Sequence, residues 1–481
     1  MADGSSLEAL QARHGPRFKW LVLVTLMIGT MASILASTIV NVAIPDLSRQ
    51  FGLRQSEVQW VASGFMVAVT VSMLLTPWLL QRFGLRRTYS GALIALSVGA
   101  VLGGLAQHYW LVISMRVVEG LAAGVLQPIP AVMIMRTFAE NERGRAMGIY
   151  GFGVVFAPAI GPSVGGVLVE AFGWRSIFFV MLPFAAAGLV LARRFLPRRV
   201  GPGERVPVDW LGLLLIAAAT LCLLNGLTQL RGGDASLGYR LLWIALAAFA
   251  GFLFVERRIA APLMQLRLFR SPTFAAGALV SLIYGMGIFG STYLIPVWLQ
   301  TALGYGPARA GLVMLPAGLT MAFALMLTGR LADRLPKHWM VSGGLATLSF
   351  SFLLLATVGL GTPYLLLVAW VVVGRIGMSF ILPSLSLGAL RGLGSDLIAQ
   401  GSSTMGYTRQ LGGAIGVSLS AIALDWRLAA HGQAFSGEAG DPLARIAAFD
   451  ETFLGLAAVC AVAAAVGWRM RPRPGEGHPA P

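Results

Sequence analysis

The sequence is short of charge and of the residues that usually mark an enzyme. Asp, Glu, Lys and Arg make up 12% of its 481 residues, where a soluble chain carries about 25%. That shortage excludes an ordinary soluble domain. Its two cysteines, Cys222 and Cys460, both fall in apolar stretches. They read as small apolar side chains, and nothing in the sequence pairs them. The five histidines (His14, His108, His338, His431 and His478) are scattered, so no metal cluster is expected. No Gly-x-x-x-x-Gly-Lys-Ser/Thr sequence occurs, which leaves direct use of ATP unsupported. No cofactor is implied.

Apolar length is what the chain has in abundance. It is 57% hydrophobic, and apolar runs recur from Trp20 to Trp468. Each run approaches the ~20 residues that cross a bilayer core. The runs predict an all-α integral membrane protein with fourteen spans. They centre near Ile28, Ala68, Leu96, Leu121, Val155, Phe184, Ala218, Ala247, Tyr284, Leu315, Phe350, Val372, Gly413 and Ala461. The first run is too long for the apolar region of a cleavable signal.

The net charge of +16 invites a nucleic-acid partner, but its distribution argues otherwise. With Met1 placed in the cytoplasm, 25 Lys and Arg residues fall on the cytoplasmic side and 8 on the outer side. That asymmetry is the positive-inside rule. It accounts for the basic excess as a topology signal and predicts two cytoplasmic termini.

The two ends of the chain resemble each other at an offset of about 250 residues. Tyr109 to Pro128 aligns with Tyr364 to Pro383, and Pro77 to Arg82 with Gly329 to Arg334. A weaker echo links Gly161–Gly165 to Gly412–Gly416. The offset exceeds what six spans need and leaves room for an added pair over Asp209–Glu256. The expected organisation is a cytoplasmic segment 1–17, a six-helix bundle 18–198 and two extra helices 199–258. A second bundle, 259–470, and a cytoplasmic tail, 471–481, complete it. The longest outer loop is expected from Asp425 to Asp450, as a flap or a plain solvated loop.

One apolar stretch stands out. Ala157 to Gly166 holds two prolines, Pro158 and Pro162, and three glycines, Gly161, Gly165 and Gly166. Such a run would ruin a soluble helix. In a bilayer it is tolerated and lets another backbone approach closely.

These segments together resemble the major facilitator superfamily, and within it the fourteen-span drug:proton antiporter branch of EmrB/QacA type. Ala157–Gly166 resembles that branch's span-5 antiporter motif, and Arg116-Val117-Val118-Glu119-Gly120 its span-4 Arg-x-x-Gln-Gly motif. Leu35 to Pro45 resembles the span-1 signature. Arg82-Phe83-Gly84-Leu85-Arg86-Arg87 and Leu331-Ala332-Asp333-Arg334, the latter preceded by Gly329, resemble the two cytoplasmic gating loops. Asp209-Trp210-Leu211-Gly212 resembles the start of the extra pair, and Arg409-Gln410-Leu411-Gly412-Gly413 a span-13 motif. The resemblance implies a major facilitator fold with helices arranged 6+2+6. It also implies export of small lipophilic compounds in exchange for protons, across a bacterial inner membrane. Three positions depart from the pattern. Ala36 replaces the usual span-1 carboxylate, Pro77 and Gln81 replace Gly and Asp of the first gate, and Glu119 replaces the span-4 Gln.

Glu119 is the only carboxylate expected deep in the membrane. An ionisable group there is costly and is by default a functional candidate. Arg116 lies one turn earlier, at i,i+3. Burial disfavours the charged carboxylate while the guanidinium favours it. The pair is therefore the expected site of proton coupling, with a static ion pair as the structural alternative. Arg375 and Arg409 are the other deep charges. Candidate substrate contacts are Thr38, Asn41, Tyr284, Tyr293, Met314, Arg375 and Gln410. Thr292 lies on the same expected span as the two tyrosines. The expected partners are a small lipophilic substrate, protons and membrane lipid, with the protein monomeric. The alternatives are a lipid or amphiphile flippase, a dedicated metabolite exporter, and a non-transporting receptor or scaffold.

Overall fold

A computed structural model describes residues 7–53, 55–58, 60–198, 207–232, 234–433 and 441–471. Long α-helices dominate the described residues. That is what hydrocarbon requires, because a helix satisfies its own backbone groups without water. Several hydroxyl side chains follow the same rule. The hydroxyls of Thr25, Thr30 and Thr70 each donate to the carbonyl four residues earlier, so apolar helices carry them without unpaired groups.

Helix ends are set by local chemistry. Ser271 caps the helix that follows by accepting from the Phe274 N–H, with Pro272 at its first position. Asp441 does the same for the helix beginning at Pro442. Gly84, at φ 78°, closes one helix and opens the next within Arg82–Arg87. Few side chains other than Gly tolerate that conformation.

Twelve helices among the described residues are long and apolar enough to cross a membrane, from Glu8–Thr38 to Pro442–Met470. This corrects the expectation of fourteen spans arranged 6+2+6. The two that drop out are those centred on Leu96 and Val155. The helix around Leu96, Leu85–Gly104, opens with Arg86 and Arg87 and is diluted by Gly91, Gly99, Gly103 and Gly104. The helix around Val155, Arg143–Phe172, contains positions whose side chains lie outside the described residues. The expected flap is also reduced. Helix continues to Ala430 and resumes at Pro442, and residues 434–440 lie outside the described set.

The chain divides into two compact units. The first comprises Met1–Ala217, Phe254–Gln265 and Gly394–Tyr407. It contains α1 (Phe18–Thr38), α2 (Trp60–Ser72), α3 (Leu85–Gly104), α4 (Tyr109–Leu126) and α5 (Arg143–Phe172). Helix α4 packs on α2 and α3, and α1 packs on α5. The α1–α5 contact uses small residues four apart. A Cβ added at Gly161 would lie 3.2 Å from Thr38 Oγ1, and one at Gly165 would lie 2.7 Å from Ile39 Cγ1. Gly161 and Gly165 therefore seat α1 and its 3-10 continuation, Ile39–Ala43, against the motif run.

The second unit comprises Ala218–Leu253, Leu266–Leu393 and Thr408–Pro481. It contains α6 (Pro272–Thr301), α7 (Tyr364–Ala389) and the greater part of α8 (Ile398–Ala430). Here Gly412 and Gly416 play the same part. An added Cβ at Gly412 would collide with the Leu282 carbonyl, and one at Gly416 would meet the Met286 carbonyl oxygen at 2.7 Å. The weak sequence echo at a 251-residue offset thus has a physical cause. In the first unit it marks the glycine face that receives α1 and its continuation, and in the second the face that receives α6. Hydroxyls tie the remaining helices together. Ser349 donates to the Ala457 carbonyl, Ser351 to Trp370 and Thr328 to Ser379.

Candidate functional site

In the first unit, Arg116 and Glu119 sit on one face of α4 with almost no exposure, 1% and 0%. Their helical spacing brings Arg116 Nη1 to 2.5 Å from Glu119 Oε2. The guanidinium does more than pair. Nη1 also donates to the Ala36 carbonyl at 2.9 Å, and Nε to the Val61 carbonyl at 3.2 Å. Its carbon lies 4.0 Å from the centre of the Phe65 ring, within cation–π range. One side chain therefore links α4 to α1 and α2. The Ala36 carbonyl stands at the position where the resembling family carries a carboxylate.

Glu119 is placed differently. Oε1 is buried and has no hydrogen-bond partner. A Cβ on Gly99 would come within 2.7 Å of Glu119 Cγ, so α3 makes room for the carboxylate only because that residue is glycine. A buried oxygen without a donor is costly for the ion, by about 1–3 kcal/mol. The pair thus divides its work, with Arg116 clamping three helices and Glu119 retaining an open position.

In the second unit, Arg375 on α7 is also buried. Its contacts are weak by comparison. Nη1 approaches Met378 Sδ at 3.4 Å, and Nη2 approaches Thr292 Oγ1 on α6 at 3.5 Å. Tyr284, also on α6, is buried with its hydroxyl unpartnered, within electrostatic range of Arg375 and Arg409. The structure therefore brings Tyr284 and Arg375 together, with Thr292 added.

The other predicted residues are more dispersed. Tyr293 is half-buried beneath Arg231, whose carbon is 5.7 Å from the ring centre. Arg231 also pairs with Asp425 at 3.1 Å. Thr38 donates to the Ile34 carbonyl and faces Gly161. Gln410 is buried and Met314 half-buried. The side chains of Asn41 and Pro162 lie outside the described residues. In the first of the two candidate gating segments Arg82 is exposed, while Arg86 Nε donates to the Leu196 carbonyl at 2.6 Å. In the second, Gly329 is buried, Asp333 half-buried and Arg334 exposed. Among the described residues, no group of three or more His, Cys, Asp or Glu could hold a metal.

Sequence reasoning found the Arg116–Glu119 spacing but not the carbonyls of Ala36 and Val61, because backbone acceptors carry no sequence signal. It also missed Lys19, which pairs with Glu142 beside Arg145 and Trp20. Opposite charges 123 residues apart give no local pattern.

Apolar spanning helices with ionisable side chains buried at their centres define a multi-pass membrane protein of the transporter class. The Major Facilitator Superfamily profile matches residues 26–417, and the chain belongs to that superfamily. A multidrug resistance protein B homolog of Mycobacterium tuberculosis is 31% identical over 412 residues, 82% of this chain and 75% of the relative. The methylenomycin A resistance protein of Streptomyces coelicolor is 27% identical over 421 residues, 86% and 88% of the two chains. Among solved structures, the proton:xylose symporter XylE superposes with a TM-score of 0.68 at 14% identity. That match covers 95% of this chain and 96% of the other, and it speaks for the fold alone.

Proposed function

We propose that this transporter exports small lipophilic compounds in exchange for protons, alternating between two facing states. Glu119 is the proton site and Arg116 its positioning partner. The observation that carries the proposal is the unpartnered Oε1 of Glu119 inside a fully buried helix contact. A proton fills that position in one state, and a change of facing state releases it. Resistance-associated relatives support the lipophilic substrate class. The basic residues gathered in alternate loops support a bacterial cytoplasmic membrane with both termini inside. The segments around Arg82–Arg86 and Gly329–Arg334 are the cytoplasmic gates. The Pro158–Gly166 run supplies the tight packing that limits leakage, and the protein works as a monomer.

A growth assay tests the substrate class. A drug-sensitive bacterium expressing the chain should tolerate several structurally unrelated lipophilic compounds better than a vector control. The gain should be at least about fourfold in inhibitory concentration, a shift of about 0.8 kcal/mol in effective potential. A panel on which the two strains grow alike would contradict the proposal.

A further inference from the structure

Two arginines are buried in the spanning helices to a similar degree and have different fates. Arg116 is neutralised by Glu119 at 2.5 Å and satisfied by two carbonyls and a ring. Arg375 has no carboxylate beside it among the described residues. Its contacts are a thioether sulfur, a weak acceptor, and a hydroxyl at the limit of hydrogen bonding. A buried unpaired charge is expensive, and membrane proteins keep one chiefly where it meets a ligand or counter-ion. The neighbours point the same way. Tyr284 is 1% exposed, and its hydroxyl has no partner. Its O–H is a free donor within range of the same guanidinium. Thr292, which the guanidinium tip approaches at 3.5 Å, is exposed. Arg409 adds a second cation within range of Tyr284.

We propose that Arg375, Tyr284 and Thr292 form a receptor for the anionic head of an amphipathic solute. The guanidinium offers a planar fork to a carboxylate or phosphate, and the unpartnered Tyr284 hydroxyl adds a donor. Thr292 gives its own proton to the Ile288 carbonyl and orients the guanidinium as an acceptor. The site's substrates are therefore amphipathic anions, and lipophilic dications are excluded by the uncompensated positive charge. This assignment rests on the export function above and narrows it to one charge class.

The test uses the purified full chain in phosphatidylcholine vesicles. The probes are 11-(dansylamino)undecanoic acid and its methyl ester, which share a tail and differ in charge. Energy transfer from tryptophan to the dansyl group reads binding. The acid should bind at least about tenfold tighter than the ester, as a charge-assisted pair provides. In Arg375→Gln that ratio should fall to about one with ester affinity unchanged, and Arg375→Lys should keep part of it. Equal affinities in the wild type overturn the proposal, as does a preference that survives Arg375→Gln. Where Arg375→Gln yields no folded protein, the wild-type ratio decides alone. Adding phosphatidylglycerol separates two sources of the anion. Competition with the acid assigns the site to a lipid headgroup, and no competition assigns it to a free solute. Counterflow of the acid in the same vesicles reads export by itself. Loss of counterflow with the acid preference intact removes the export function and leaves the anion site standing.

Discussion

Glu119→Gln should uncouple transport from the proton gradient without stopping substrate exchange. In vesicles held at zero membrane potential with a one-unit pH difference, the wild type should accumulate substrate about tenfold per proton exchanged. One pH unit is worth about 1.4 kcal/mol, a factor of ten in concentration. The variant should reach a ratio of about one. Counterflow of labelled against unlabelled substrate should persist, because the amide keeps an oxygen acceptor for Arg116 Nη1 and loses only the ability to titrate. The substitution should also fold, since glutamine is the residue that the resembling span-4 motif carries there. Undiminished accumulation in Glu119→Gln would remove this residue from the coupling path. It would leave the pair as a static tie between helices.

Arg116→Met should be the most destabilising single change at this site. It strands a buried carboxylate, and breaking a buried ion pair in this way costs about 3–5 kcal/mol. It also removes the donors that the Ala36 and Val61 carbonyls use, loosening α4 from α1 and α2 together. Thermal unfolding in detergent should show a lowered midpoint and poor recovery of dispersed protein. The double change Arg116→Met with Glu119→Met should regain most of the loss, because replacing both charges leaves no unpaired ion. If Arg116→Met unfolds at the wild-type midpoint, the clamp described here contributes nothing.

The membrane class was legible because it is written in composition and run length, which need no tertiary information. The Arg116–Glu119 pair was legible for a related reason. Two ionisable residues three apart on an apolar helix must share a face, and few other arrangements satisfy both. The glycine echo between Gly161–Gly165 and Gly412–Gly416 was visible but unexplained. Its meaning depends on Ile39, Leu282 and Met286, which lie more than a hundred residues away. The span number was misread where helix and span part company. Leu85–Gly104 is helical throughout, yet its two leading arginines and its glycines leave too little apolar length. The contrast between Arg116 and Arg375 was hidden for a third reason. Burial of a charge can be guessed from its surroundings in sequence, but whether a partner arrives from another helix cannot.

Proton exchange at Glu119 is the step on which coupled transport depends. Adding a transported substrate to the purified, weakly buffered protein and recording pH measures that exchange without a membrane or a gradient. Proton release that approaches one per protein molecule, saturates with substrate and vanishes in Glu119→Gln is the predicted result. Substrate binding with no release, or release that is unchanged in Glu119→Gln, would contradict it.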